Sequence, residues 1–326
     1  MQLTDEQLAT WKRDGSIVVP NVFPPESFVP ALEAVECNAY GGLTYAEYRA
    51  KWDENPAEIQ QLYEQTSPIQ RLAGPMGGAV HFPTGLPAVD KLLENDDYID
   101  CACQLLGTDE IRLGYGQIFF REGLTDTRYS ENPWEGYHID NGTNSQLPPH
   151  PDWERYSYLL SGIILHDIDE DGAPMLVCRG SHKQLASIYD RHGGSAGGMG
   201  LSDLREYEEL AEPTPVTAKA GSVAFRSSYL IHAAQPFANK QRQRGWMGFH
   251  FHRADNADWC HTTRPVPGWT TPEFVSFVAS TTPRARHLLG WPNPGNAYYT
   301  EESLQRLANA YPGIDLKPYR DTMTVR

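Results

Sequence analysis

After Gly107 the chain changes character, and that change limits the folds open to it. From Ile111 onward it breaks into short β-rich or alternating runs: "IRLGYGQIFFRE", "WEGYHID", "YSYLLSGIILHDI", "PMLVCR", "TPVTAKAGSVAFR" and "RGWMGFHFHR". Glycine, proline and aspartate separate them, the pattern of short strands joined by turns. Before Gly107, apolar residues recur at helical spacing in "PESFVPALEAVECNAY", "YAEYRAKWDENPAEIQQLYEQ" and "LPAVDKLLENDDYIDCACQLLG". A helical leader ahead of an all-β segment argues for an α+β protein, not alternating βαβ units. Six or more short strands suggest a jelly roll or double-stranded β-helix, a cupin-like barrel whose mouth is a common place for ligands.

The expected organisation is a single domain over 1–326: a mainly helical leader at 1–107, the β-helix core at 108–255 and a C-terminal helical extension at 256–326. The leader opens with a short helix capped by Thr4, with Gln7 three positions on, stopped at Gly15 and followed by a strand through Ile17, Val18 and Val19. Closing helices are expected in "TPEFVSFVASTTPRARHLLG" and "TEESLQRLANAYPG". The run "GGSAGGMG", residues 193–200, reads as a flexible connection or as a lid over a site.

Charge removes two classes of partner. A net charge of -15 gives no clustered Lys and Arg for a nucleic-acid backbone or an anionic membrane. The start "MQLTDEQLAT" has no basic stretch and apolar run of a signal peptide, and nowhere do about 18 uninterrupted apolar residues occur, so a cytoplasmic protein is expected. Five scattered cysteines fit a reducing compartment, and without a C-x-x-C pair they do not suggest structural zinc. Cys101 and Cys103 diverge on one helix and read as small buried residues.

The chemistry-bearing pattern is His-x-Asp. With 11 histidines, chance alone supplies about half an occurrence, and the chain has two, so spacing decides nothing. His138 and Asp140 lie in "GYHID", where a strand would aim i and i+2 into one cavity. His150 and Asp152 lie in "QLPPHPDW", where three prolines deny ladder hydrogen bonds and mark a loop. The first pair is therefore the candidate. A facial triad for non-haem Fe(II) needs a second imidazole and three open positions. His232, in "SSYLIHAAQPF", is placed to supply it, and Arg242 and Arg244 open the next strand with planar forks suited to a dicarboxylate.

Over nearly its whole length the sequence resembles the phytanoyl-CoA dioxygenase family of Fe(II)/2-oxoglutarate-dependent oxygenases. The likeness runs through "LTDEQLATWKRDGSIVVPNVF", "GYGQIFFREG", "YHIDN", "GAPMLVCRGSHKQL", "SSYLIHAAQPFANKQRQR" and "GWPNPGNAYYT". The resemblance implies a double-stranded β-helix holding Fe(II) through His138, Asp140 and His232, with 2-oxoglutarate and O2 as cosubstrates. It implies Arg244 as the 2-oxoglutarate anchor and Gln117 as its neighbour. Two positions depart from the family pattern. Ala234 stands where a hydroxyl residue is common, and the arginine falls one position late, which leaves Arg242 open.

The implied activity is oxidation of an unactivated C–H bond of a small-molecule metabolite, hydroxylation by default, with release of succinate and CO2. A halogenase of this type would carry Ala or Gly in place of Asp140. Tyr115, Trp134, Tyr137, Asn141, Asn144, Trp246 and His250 are candidate pocket residues, and no basic cluster argues for a coenzyme A thioester. A small natural-product or amino-acid-like substrate is expected. A jelly-roll module that binds without turnover and a metal enzyme independent of 2-oxoglutarate remain alternatives. Oligomeric state has no signal in the sequence.

Overall fold

The computed structural model describes residues 1–58, 79–124, 136–140, 149–192, 210–256 and 271–323. The Gly-rich run 193–200 lies outside them. Nine strands are described: β1 (Ser16–Val19), β2 (Ala79–His81), β3 (Ile111–Glu122), β4 (Leu159–Ile164), β5 (Met175–Val177), β6 (Thr214–Val216), β7 (Val223–Ser227), β8 (His232–Ala234) and β9 (Gln243–Arg253). They form a six-stranded sheet ordered β1-β7-β4-β9-β3-β2 and a three-stranded sheet ordered β6-β5-β8, antiparallel at every pairing. This is a double-stranded β-helix whose major sheet recruits β1 and β2 from the leader.

Period-two alternation divides the major sheet into two faces. On one face Phe225, Phe249 and Phe251 surround the Tyr98 ring of helix Asp96–Leu106, with centroids 5.9, 6.2 and 5.6 Å away. Tyr98 also hydrogen-bonds Ser161 of β4. Burying four aromatic rings together contributes several kcal/mol through removed apolar area. The other face, carrying Tyr115, Gln117, Phe119 and Arg121 of β3 and Arg244, Trp246, Gly248 and His250 of β9, looks into the barrel.

Local sequence sets the helix ends. Helix Asp5–Asp14 has the expected capping box between Thr4 and Gln7 and ends on Gly15 at φ 73. Thr44 with Glu47 and Thr300 with Ser303 form two more such boxes. The stretch read as one helix from Leu86 to Gly107 is three pieces, Pro87–Asp90, a 3-10 turn at Lys91–Glu94 and Asp96–Leu106. Asn95 causes the break, because its side chain accepts the Tyr98 N–H and starts a new helix. The expected helix after Thr271 is likewise two, Pro272–Ser280 and Pro283–Leu288, restarted by Thr282, whose side chain accepts the Ala285 N–H. Cys101 and Cys103 are buried, as expected. No helix among the described residues is long and apolar enough to cross a membrane.

Gly15 joins the leader to the core. Its backbone is left-handed, and a Cβ there would lie 2.3 Å from Nδ1 of His182, a ring that packs edge-on against Trp153 at 4.3 Å. Gly15→Ala combines a left-handed alanine with a displaced buried ring, so it is expected to destabilise the protein by at least about 2 kcal/mol. A lowered urea midpoint at unchanged slope is the expected result. A shift under about 0.5 kcal/mol would show that the His182 ring moves aside freely.

Candidate active site

Residues 136–140 form no strand, contrary to the expectation for "WEGYHID". Instead His138 makes an isolated antiparallel bridge to His232 of β8. Each backbone N–H of the pair donates to the other's carbonyl, at 2.9 and 3.0 Å, and the Asp140 N–H donates to Ser228 at 3.2 Å. Those three bonds bring the first histidine, the aspartate and the distal histidine to one place although 94 positions separate the two histidines (232 minus 138). One ligand atom from each of His138, Asp140 and His232 lies within 4.8 Å of the others, and this is the one such cluster found among the described residues.

Hydrogen bonding orients both imidazoles. Nδ1 of His138 lies 2.7 Å from the Gly136 carbonyl and Nδ1 of His232 lies 2.9 Å from the Leu230 carbonyl. A carbonyl only accepts, so each Nδ1 carries a hydrogen and each Nε2 is the ring atom turned toward Asp140, at 3.9 and 3.5 Å. Burial, then Arg226 and His138, pull the His232 pKa well below its ordinary value against the opposing pull of Asp140, which keeps the ring neutral at pH 7. Burial pushes the Asp140 carboxyl up, but Arg226 and then His232, His138 and His250 outweigh it and hold it well below the usual carboxylate range. Two imidazoles and a carboxylate are the donor set of a facial triad.

Arg226 of β7, which sequence reading passed over, ion-pairs with Asp140. The only available signal was its placement, a charged residue between buried Phe225 and Ser227 in the middle of a strand. His250, also nearby, has its pKa lowered to about 4, chiefly by burial, and its Nδ1 has no hydrogen-bond partner among the described residues.

From the His138–Asp140–His232 cluster the inner face of β9 leads to Arg244. His250, Gly248, Trp246 and Arg244 follow one another on it, with Gln117 of β3 opposite Gly248. Tyr115 donates to Gln117 and lies 2.6 Å from His81 Nδ1. Gly162 of β4 falls between the partners of Trp246 and His250, so the middle of this wall carries no side chain from β4 or at Gly248. Arg244 is 3% exposed, donates to the Ala173 carbonyl and lies 5.0 Å from the Trp246 ring. Directly across the ladder stands a second buried arginine, Arg121, which donates to the Gln235 carbonyl at 3.0 Å and which the sequence reading also missed. Arg242 shares the parity of Arg244, yet its guanidinium lies 2.8 and 2.9 Å from Asp169 and Asp171 at the rim.

The other expected residues divide. Tyr115, Trp246 and His250 face the barrel interior. Tyr137 is 1% exposed and belongs to the core packing. Trp134, Asn141 and Asn144 lie outside the described residues. The second His-x-Asp pair has a local structural use: Asp152 accepts the Arg155 N–H and starts the short helix Trp153–Tyr156, while His150 Nδ1 accepts the Asp152 N–H at 3.0 Å.

The sequence model of the phytanoyl-CoA dioxygenase family (PhyH) matches residues 132–245, which contain all three clustered residues and Arg244. Ectoine dioxygenase of Bordetella bronchiseptica is 23% identical over 243 residues, covering 71% of this chain and 70% of that one. The crystal structure of EctD from S. alaskensis with bound Fe superposes with a TM-score of 0.54 at 17% identity, covering 82% of each chain. AviO1 from Streptomyces viridochromogenes Tue57 gives a TM-score of 0.50 at 15% identity over 80% of this chain and 96% of its own.

Proposed function

We propose that this chain, whose residues 132–245 match the phytanoyl-CoA dioxygenase family, is an Fe(II)- and 2-oxoglutarate-dependent dioxygenase of that family that oxidises a C–H bond of a small, polar metabolite. The observation that carries the reading is the convergence of His138, Asp140 and His232, with both histidine Nε2 atoms turned to the carboxylate. Residues 1–326 are read as one oxygenase unit acting on a free small molecule, and the free thiols of Cys37, Cys101, Cys103 and Cys178 support a cytoplasmic address.

The residues present fit both groups. The donor set suits Fe(II), and the inner face of β9, where Gly248 and the Trp246 indole lie between the His250 imidazole and the buried Arg244 guanidinium, offers a cation for a dicarboxylate. His138, Asp140 and His232 would hold the iron, Arg244 would bind the distal carboxylate of 2-oxoglutarate, and Gln117, which stands opposite Gly248 and not next to Arg244, would line the wall between them. Bound there, iron and 2-oxoglutarate supply the oxidising power, yielding succinate and CO2.

The chain's own part is orientation. The Gly136 and Leu230 carbonyls fix the imidazoles, and Arg226 holds Asp140 Oδ2 and steadies its negative charge. His81, Tyr115 and His250 give the adjoining interior a polar lining that fits a compact, hydrogen-bonding substrate better than a long alkyl chain. The relative named an ectoine dioxygenase supports a substrate of that size. The test is succinate formation from 2-oxoglutarate across a library of small polar metabolites with Fe(II) present. Iron-dependent succinate that rises with one class of metabolite is expected. Ligand binding with no succinate under any condition would instead identify a binding module.

A further inference from the structure

On the inner face of β9, Trp246 stands between Arg244 and Gly248, and its indole is held on three sides. The Arg244 guanidinium carbon lies 5.0 Å from the ring, Phe119 meets it edge-on at 5.8 Å, and Gly162 clears the third side, where a Cβ would lie 2.9 Å from Trp246 Cε3. A ring fixed this way cannot choose where its N–H points. Trp246 Nε1 is shut off from solvent and has no hydrogen-bond partner among the described residues. An indole nitrogen only donates, and burying a donor without an acceptor is costly, so a donor kept in this position calls for an acceptor that arrives with a ligand. The Arg244 guanidinium lies against the same ring, so the acceptor that suits both is an anionic oxygen pair.

We propose that Trp246 is a specificity-determining residue: its indole N–H donates to the distal carboxylate of 2-oxoglutarate while Arg244 binds the same carboxylate. The inference rests on the cosubstrate reading given above. It makes the five-carbon dicarboxylic oxo acid the preferred cosubstrate over a monocarboxylic 2-oxo acid of similar reactive end.

Trp246→Phe keeps an aromatic face toward Arg244 and Phe119 and removes the donor together with part of the ring, and the comparison of two oxo acids separates the lost hydrogen bond from the lost packing. Dissociation constants are read by calorimetry on Mn(II)-loaded wild type, Trp246→Phe and Arg244→Ala, with 2-oxoglutarate and with 2-oxobutanoate, which lacks the distal carboxylate. The expected result is about a tenfold or greater weakening for 2-oxoglutarate in Trp246→Phe, as for a lost bond to a charged group, with 2-oxobutanoate unchanged. An unaltered constant for 2-oxoglutarate, or equal weakening for both acids, overturns the proposal while leaving an Arg244 effect intact. Failure of the wild type to bind 2-oxoglutarate at all overturns the cosubstrate reading and this inference with it.

Discussion

Asp140→Ala is expected to retain little or no iron after anaerobic reconstitution and to lose 2-oxoglutarate turnover by on the order of a thousandfold or more. The carboxylate is the one anionic member of the cluster, and the two histidines alone bring no negative charge to a dication. Its removal also leaves Arg226, whose side chain is 14% exposed, without its carboxylate partner, so a stability loss of about 2 kcal/mol accompanies the metal loss. Iron content must therefore be read on protein shown to be folded by circular dichroism. Asp152→Ala is the matched control. It removes a helix cap, costs about 1 kcal/mol of stability and leaves iron content at the wild-type level. Full iron retention in Asp140→Ala would mean that the cluster is not the metal site.

Arg244→Ala is expected to raise the KM for 2-oxoglutarate by about a hundredfold, equivalent to about 2.7 kcal/mol, with iron binding preserved. The size follows from stripping a buried cation from a carboxylate that has already left water. Arg242→Ala is expected to change the KM less than about twofold, since its partners are Asp169 and Asp171 at the rim and partly exposed pairs of this kind contribute little. A large Arg242 effect with a silent Arg244 would place the anchor at the strand entrance. Silence at both would remove 2-oxoglutarate from the account.

The structure explains why some of this was readable from sequence and some was not. His138 could be preferred to His150 because proline forbids ladder bonding, a local property, and the structure gives the Pro-flanked pair a capping role. The capping boxes and the left-handed Gly15 are equally local. The break at Asn95 had a local signal too, an Asn ahead of two aspartates, but the unbroken apolar periodicity on either side outweighed it. The contacts that complete the site are not local. Arg226 reaches Asp140 across 86 positions, and Arg121 meets Arg244 only through the β3–β9 register. Alternation could not separate Arg242 from Arg244, which share a face. What separates them in the structure is the turn after β4, where Arg242 pairs with Asp169 and Asp171 and donates to the Asp167 carbonyl at the rim.

The most direct test of the iron and 2-oxoglutarate assignment is the visible absorption spectrum of anaerobic, Fe(II)-loaded protein on addition of 2-oxoglutarate. A weak charge-transfer band that saturates with the cosubstrate is expected in the wild type, is expected to need far more 2-oxoglutarate in Arg244→Ala, and is expected to be absent in Asp140→Ala. A wild-type protein that binds Fe(II) but develops no band at any 2-oxoglutarate concentration would contradict the account.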